Sequence, residues 1–400
     1  MKILLIVPEY PPYNIGGGGG VFKEIAENLS SLGNNVYVIY GYYPNTSIFP
    51  KIELNEINNI KFYKVPEVPC PKFLPFLKTV LPIFPWTYFQ LKQIIKDIDP
   101  EVVNIHGYGL FFISQAALIL KSLNIPYVYT LHGAPVSPGK MKGIIGLIYK
   151  FYNKFLGRNT LKHASKITAV SKYSRNFPEF ETFKNKIQII RNGISIDEFR
   201  DLKYTTRNVF NKFFPYSRDE LIFFSLGRIE WLKGFQLFMQ IIPLLKQDGI
   251  KLKYCIAGKD NGYLQELKKL AADLNIENEV IFLDYLNFQE KCECYYFSDF
   301  VVVPSLVENF PAIPLEAMCM KKLVIANNAG GIPEIIQNNY NGIIVDMNER
   351  QLLYTQIKEL LSNPKLKIEI ESHLHEVEKY NWVEITNKYL DTFKSVINKL

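Results

Sequence analysis

The chain has 400 residues, of which 48% are hydrophobic and 21% charged, so it is globular and too long for one ordinary core; two domains of about 200 residues each suit it. Its five cysteines are odd in number and lack paired Cys-x-x-Cys spacing, which argues against a zinc ribbon or a disulfide framework and suits a reducing cytoplasm. The net charge of +7 is uneven, with a strongly basic first half and a slightly acidic second half; this fits either an anionic partner, such as a membrane surface or an acidic acceptor, or a lysine coat that keeps the domain soluble.

Residues 3–7 form a continuous apolar run, as in a strand buried within a parallel sheet, and are too short for the core of a signal peptide. A loop rich in proline and tyrosine follows, then the glycines 16–20, then an amphipathic helix over 21–32 stopped by Gly33, then a strand over 35–40. This is a βαβ opening. The glycines are not a Walker loop, because no Gly-Lys-Ser/Thr follows, and not a dinucleotide fingerprint, because they do not follow the strand directly. Glycine still lets backbone amides approach a ligand, and a helix start favours anions.

Six prolines crowd residues 65–86 and make that segment extended or loop-like. A helix is expected over 88–96, a strand over 102–106 ending in His106-Gly107, and a helix over 111–123. A second strand, over 126–132, ends in His132-Gly133. Histidine at the carboxyl end of such a strand sits where these sheets place chemistry, and capping or packing is its commoner use. The longest apolar run, around 109–120, contains Ser114 and Gln115 and is too short to span a bilayer. Over 140–163, apolar side chains recur at helical spacing among Lys140, Lys142, Lys150, Lys154, Arg158 and Lys162. That is either a basic amphipathic helix lying on an anionic membrane or a packed helix with a solvated lysine face. Strands over 167–171 and 187–191 follow, the second running into the turn signal Asn192-Gly193.

Residues 200–218 read as a polar linker. The second half begins with a strand over 221–226, then Gly227-Arg228 and Lys233-Gly234, then a helix over 235–245. An Arg and a Lys five residues on, at a strand-to-helix turn, suit a diphosphate clamp: a planar fork plus a mobile point charge. Further strands are expected over 253–257 and 279–283, the second followed by Asp284-Tyr285-Leu286. The strand 300–303 runs into a loop, Pro-Ser-Leu-Val-Glu308-Asn309-Phe310-Pro. Pro311 and Pro314 keep Glu308 out of the helix that carries Glu316; Pro314 suits its first position. Two carboxylates eight residues apart thus reach the carboxyl edge of a sheet. Gly330-Gly331 with Pro333 opens another expected helix, and an amphipathic helix over 383–397 closes the chain.

The ordered set Gly-Arg-x(4)-Lys-Gly, Glu308-x(7)-Glu316 and Ala-Gly-Gly-Ile-Pro-Glu resembles the donor site of the retaining GT-B glycosyltransferases of family 4, the group 1 class. Asn192-Gly193 with Asp197, and the region around Trp382, resemble that family's first-domain closing turn and closing helix. The resemblance spans nearly the whole chain. It implies an α/β, GT-B fold: two Rossmann-like doubly wound domains facing a cleft, residues 1–200 for the acceptor and 201–380 for the donor, with residues 381–400 crossing back to the first. It implies transfer of a sugar from a UDP- or GDP-linked donor, with retention, no metal and no cofactor. Glu308 and His132 would be catalytic. Arg228, Lys233, Glu316, Gly16, Gly17, Gly18, Gly330, Gly331, Leu286, Asn309 and Phe310 would bind the donor. Expected partners are the nucleotide sugar, a glycan or lipid-linked acceptor and an anionic membrane surface, with no nucleic acid; the expected location is the cytoplasm or the inner face of the membrane. A nucleotide-sugar 2-epimerase on the same fold and a non-catalytic homologue are the alternatives.

Overall fold

A computed structural model describes residues 1–11, 17–42, 52–68, 81–82, 86–109, 111–133, 143–200, 202–215, 217 and 219–398. Among them the chain forms two compact units, residues 1–193 with 382–400, and residues 194–381. The first break precedes the helical turn Ile196–Phe199, so the expected 1–200 domain runs past it.

In the first unit the strands are β1 (Lys2–Val7), β2 (Asn35–Tyr42), β3 (Glu53–Ile57), β4 (Ile60–Val68), β5 (Leu81–Pro82), β6 (Val102–His106), β7 (Tyr127–Leu131), β8 (Lys166–Ala169) and β9 (Ile187–Ile189). Their order is β3-β4-β2-β1-β6-β7-β8-β9, with β5 on β4. All neighbours are parallel except the edge pairs β3–β4 and β4–β5. The apolar run in β1 follows from this position. Alternate side chains point to opposite faces: Leu4 and Ile6 enter one core with Leu91, Phe112 and Tyr129, while Ile3, Leu5 and Val7 enter another with Phe22, Ile25, Trp382, Tyr389 and Phe393. The closing helix, Trp382–Ile397, is therefore part of this unit's core.

In the second unit β10 (Leu221–Leu226), β11 (Leu252–Ala257), β12 (Val280–Leu283), β13 (Phe300–Val303), β14 (Leu323–Asn327) and β15 (Ile343–Val345) lie in the order β12-β11-β10-β13-β14-β15. All pairs are parallel. The order reverses between β10 and β13, and open sheets of this kind bind ligands in the crevice at that point, beyond the carboxyl ends of the strands.

Several local expectations change. Gly17–Gly20 lie inside the first turn of the helix Gly17–Ser31 rather than before it. The helix expected over 235–245 is two pieces, Phe235–Met239 and Ile242–Gln247, because Pro243 starts the second and cannot donate back to the first. The helix after Glu308 begins at Ala312, with Pro314 third in it, where a missing N–H is still harmless. Ile332–Glu334 is only a 3-10 turn. The expected linker is packed structure: Arg207, Phe210 and Phe214 are buried, with the guanidinium over the rings of Phe210, Phe214 and Phe297. Gly16, Lys140, Lys142, Cys70 and most of the proline-rich segment lie outside the described residues.

Candidate active site

The crevice between β10 and β13 is built by two turns that lock together. After β10, residues 231–233 make a 3-10 turn ended by Gly234 at φ +67. A Cβ on Gly234 would lie 2.0 Å from the Pro304 carbonyl oxygen, so only glycine lets the turn lie against the loop that leaves β13. The Leu306 N–H donates to the Leu232 carbonyl at 2.9 Å and straps the same two segments. Lys233 is thereby carried to Glu308, with Nζ 2.6 Å from Oε1. Both side chains are largely buried, 19% and 14% exposed.

A third turn holds the Glu308 backbone from the β14 side. Gly330 has φ +59, and a Cβ there would sit 2.1 Å from the Glu308 carbonyl oxygen. That oxygen accepts the Gly331 N–H at 2.8 Å, so this amide serves the loop. Asn327 adds a donor to the Ser305 carbonyl at 3.0 Å.

Glu316 lies in the helix Ala312–Cys319 and meets two partners that the sequence did not reveal. Lys291 Nζ is 2.8 Å from Oε1, and the Tyr295 hydroxyl donates to Oε2 at 2.8 Å. Lys291 also lies over the rings of Phe199 and Phe288, at 5.5 and 5.2 Å. Burial, and then the Glu316 charge, raise the Tyr295 phenol well above its ordinary range, so it stays a neutral donor. Each carboxylate oxygen keeps a lone pair for a further donor, such as a ligand hydroxyl. Lys291 and Tyr295 are four apart on one helix face, a spacing that identifies a shared direction and not its target.

The remaining expected donor residues make contacts of their own. Arg228 is mostly exposed and bonds Glu230 at 3.0 Å, while Glu230 also accepts from Asn261. Leu286 is half-buried in the loop after β12, beside exposed Tyr285. Asn309 is half-buried, and its Oδ1 is buried with no hydrogen-bond partner. The Phe310 ring is buried against Tyr380 and supports the fold.

In the first unit, β6 and β7 end at His106 and just before His132, and Nδ1 of His106 lies 2.9 Å from Nε2 of His132. Phe22 sets its ring edge-on to both imidazoles. Burial keeps both neutral: the His132 pKa is pushed down to about 4, and His106 well below its ordinary value, with His132 as the second cause. Beneath them, Asn104 donates to Thr130, which shares a 2.8 Å bond with Thr168. Gly17 and Gly18 begin the helix Gly17–Ser31 of this unit. Among the described residues no three His, Cys, Asp or Glu side chains gather as a metal site.

Two family models match the chain: "Glycosyltransferase Family 4" over residues 15–198 and "Glycosyl transferases group 1" over residues 208–374. The chain is 26% identical to an uncharacterized glycosyltransferase of Methanocaldococcus jannaschii, over 98% of both chains. It is 21% identical to the phosphatidylinositol N-acetylglucosaminyltransferase GPI3 subunit of Saccharomyces cerevisiae, over 97% of this chain and 81% of that one. The Anabaena protein HepE, solved in complex with UDP, superposes with a TM-score of 0.73 at 18% identity, over 99% of this chain and 100% of that one. The two parallel-sheet units therefore share the GT-B fold, and this chain belongs to the GT-B glycosyltransferases of family 4.

Proposed function

We propose that the chain moves a glycosyl unit from a UDP- or GDP-linked sugar to a glycan or lipid-linked acceptor, with retention at the anomeric carbon and without a metal. The observation that carries this reading is the Lys233–Glu308 contact at the sheet's switch point, a cation and an acid 2.6 Å apart. As the bond from the anomeric carbon to the diphosphate breaks, negative charge grows on the leaving group. Lys233, with Arg228 on the same loop, meets that charge. Glu308 holds the sugar hydroxyls and stabilises positive character at the anomeric carbon. Glu316, steadied by Lys291 and Tyr295, accepts from the ribose hydroxyls. His132 is neutral and serves the transfer step rather than nucleotide capture.

The Anabaena neighbour has been solved with UDP and with UDP-glucose, which favours a uridine donor. The yeast relative's name specifies phosphatidylinositol, which favours a lipid acceptor. The test is incubation with a panel of UDP and GDP sugars and candidate acceptors, with and without EDTA, and the product anomer read by NMR. Transfer with the donor's anomeric configuration, unchanged by EDTA, is the expected result. Epimerised nucleotide sugar formed without acceptor would make the chain an isomerase instead. An inverted product, or loss of transfer on chelation, would strike the corresponding clause.

A further inference from the structure

The stretch 143–163 is a helix, Gly143–Tyr152, a π-helical turn, Asn153–Gly157, and a second helix, Arg158–His163. One side is anchored in the first unit. Tyr152 is buried, bonded to Ser114 at 2.8 Å, and Thr160 and Leu161 are buried as well. At 3.6 residues per turn Tyr152 and Leu161 would face opposite ways. The wider π turn between them brings both inward. Gly157 presses so close that a Cβ would lie 2.4 Å from the Tyr108 hydroxyl.

The other side is left in water. Leu147, Phe151 and Phe155, at i, i+4 and i+8, are 67%, 62% and 51% exposed. The two phenylalanine rings touch, with centroids 4.6 Å apart, and Lys154 lies over Phe155. Lys150, Arg158 and Lys162 are exposed on the same stretch. The surrounding sequence carries no counter-charge: from Val102 to Pro178 there are ten Lys or Arg and no Asp or Glu.

We infer that this face docks on an anionic lipid bilayer, with Leu147, Phe151 and Phe155 entering the headgroup boundary and Lys150, Lys154, Arg158 and Lys162 meeting lipid phosphates. The charge complementarity selects the occupant. A polyanion such as nucleic acid would use the cations and leave Leu147 in water, whereas an interfacial helix uses both kinds of side chain. No helix among the described residues is long and apolar enough to cross a membrane, so this contact lies on the surface. The inference needs nothing from the donor site.

The test is flotation of the full chain with vesicles of phosphatidylcholine alone and of equal phosphatidylcholine and phosphatidylglycerol. Binding to the anionic vesicles is expected, weakening with salt. The pair Phe151→Ser with Phe155→Ser should lower partitioning about a hundredfold, about tenfold for each half-inserted ring. Lys150→Glu with Lys154→Glu should lower it at least about fivefold per charge. All four positions are exposed, so the melting temperature and the affinity for nucleoside diphosphate should hold, which separates this result from any failure of the transferase reading. The inference is overturned if the wild-type chain does not float with anionic vesicles, if it floats equally with phosphatidylcholine alone, or if the Phe→Ser pair floats as well as wild type. Duplex DNA that displaces the vesicles from the wild-type chain without loss in the Phe→Ser pair would assign the face to nucleic acid.

Discussion

Lys233→Ala is the sharpest probe of the donor site. In the free protein this lysine is bound to Glu308 at 2.6 Å, with both side chains largely buried. At an effective dielectric near 20 that attraction is about 6 kcal/mol before desolvation, and desolvation offsets most of it. A phosphate oxygen that takes the lysine exchanges one ionic contact for another, so its net worth is that of a charged hydrogen bond, about 1.5–3 kcal/mol. Titration calorimetry with the nucleoside diphosphate that wild type binds best should show affinity about 10- to 150-fold weaker. Glu308→Ala should behave oppositely: it frees the lysine, so affinity holds or rises, while transfer falls at least about a hundredfold. Lys233→Ala alone also leaves Glu308 without its partner, and the double variant Lys233→Ala with Glu308→Ala removes that burden. If nucleotide affinity stays low in the double variant, the lysine is responsible rather than a disturbed fold. Wild-type affinity in Lys233→Ala would refute the assignment.

Gly330→Ala forces a Cβ to within 2.1 Å of a backbone oxygen at φ +59; thermal unfolding should show a loss of at least about 2 kcal/mol, or about 4 °C or more, with transfer impaired alongside. His132 and His106 are held neutral in the fold, so the unfolded chain binds protons that the folded one refuses; stability should be fully present above pH 6.5 and fall toward pH 4, by up to about 3 kcal/mol for His132. Denaturant titrations across that range should show the slope, and His132→Phe should make it shallower, leaving the part that buried His106 contributes. Trp382→Ala removes a buried ring packed on Gly193 and should cost about 3–5 kcal/mol, seen by hydrogen exchange as lost protection over residues 382–397 and in β1.

Much of the architecture was legible because it depends on local pattern. The apolar runs of β1, β10 and β13 suit strands buried on both faces, and Gly33 at φ +78 ends a helix as its position suggests. The breaks that went unread follow from context. Gly17–Gly20 join a helix because the tertiary fold outweighs glycine's poor propensity. The stretch near Arg207 packs because Phe210 and Phe214 have a core to enter, which polar composition conceals.

For the site, Glu308, Glu316, Arg228 and Lys233 were readable as types at a spacing, since loop length after a strand fixes which residues reach its carboxyl edge. Their pairings were not. Lys233 meets Glu308 across 75 residues, Arg228 turns to Glu230, and Lys291 and Tyr295 close on Glu316 from another helix. Residue order along the chain sets periodicity and turn chemistry, which act over a few residues. Which charge neutralises which depends on where separate strands end in space, and that is decided only when β10, β13 and β14 lie side by side.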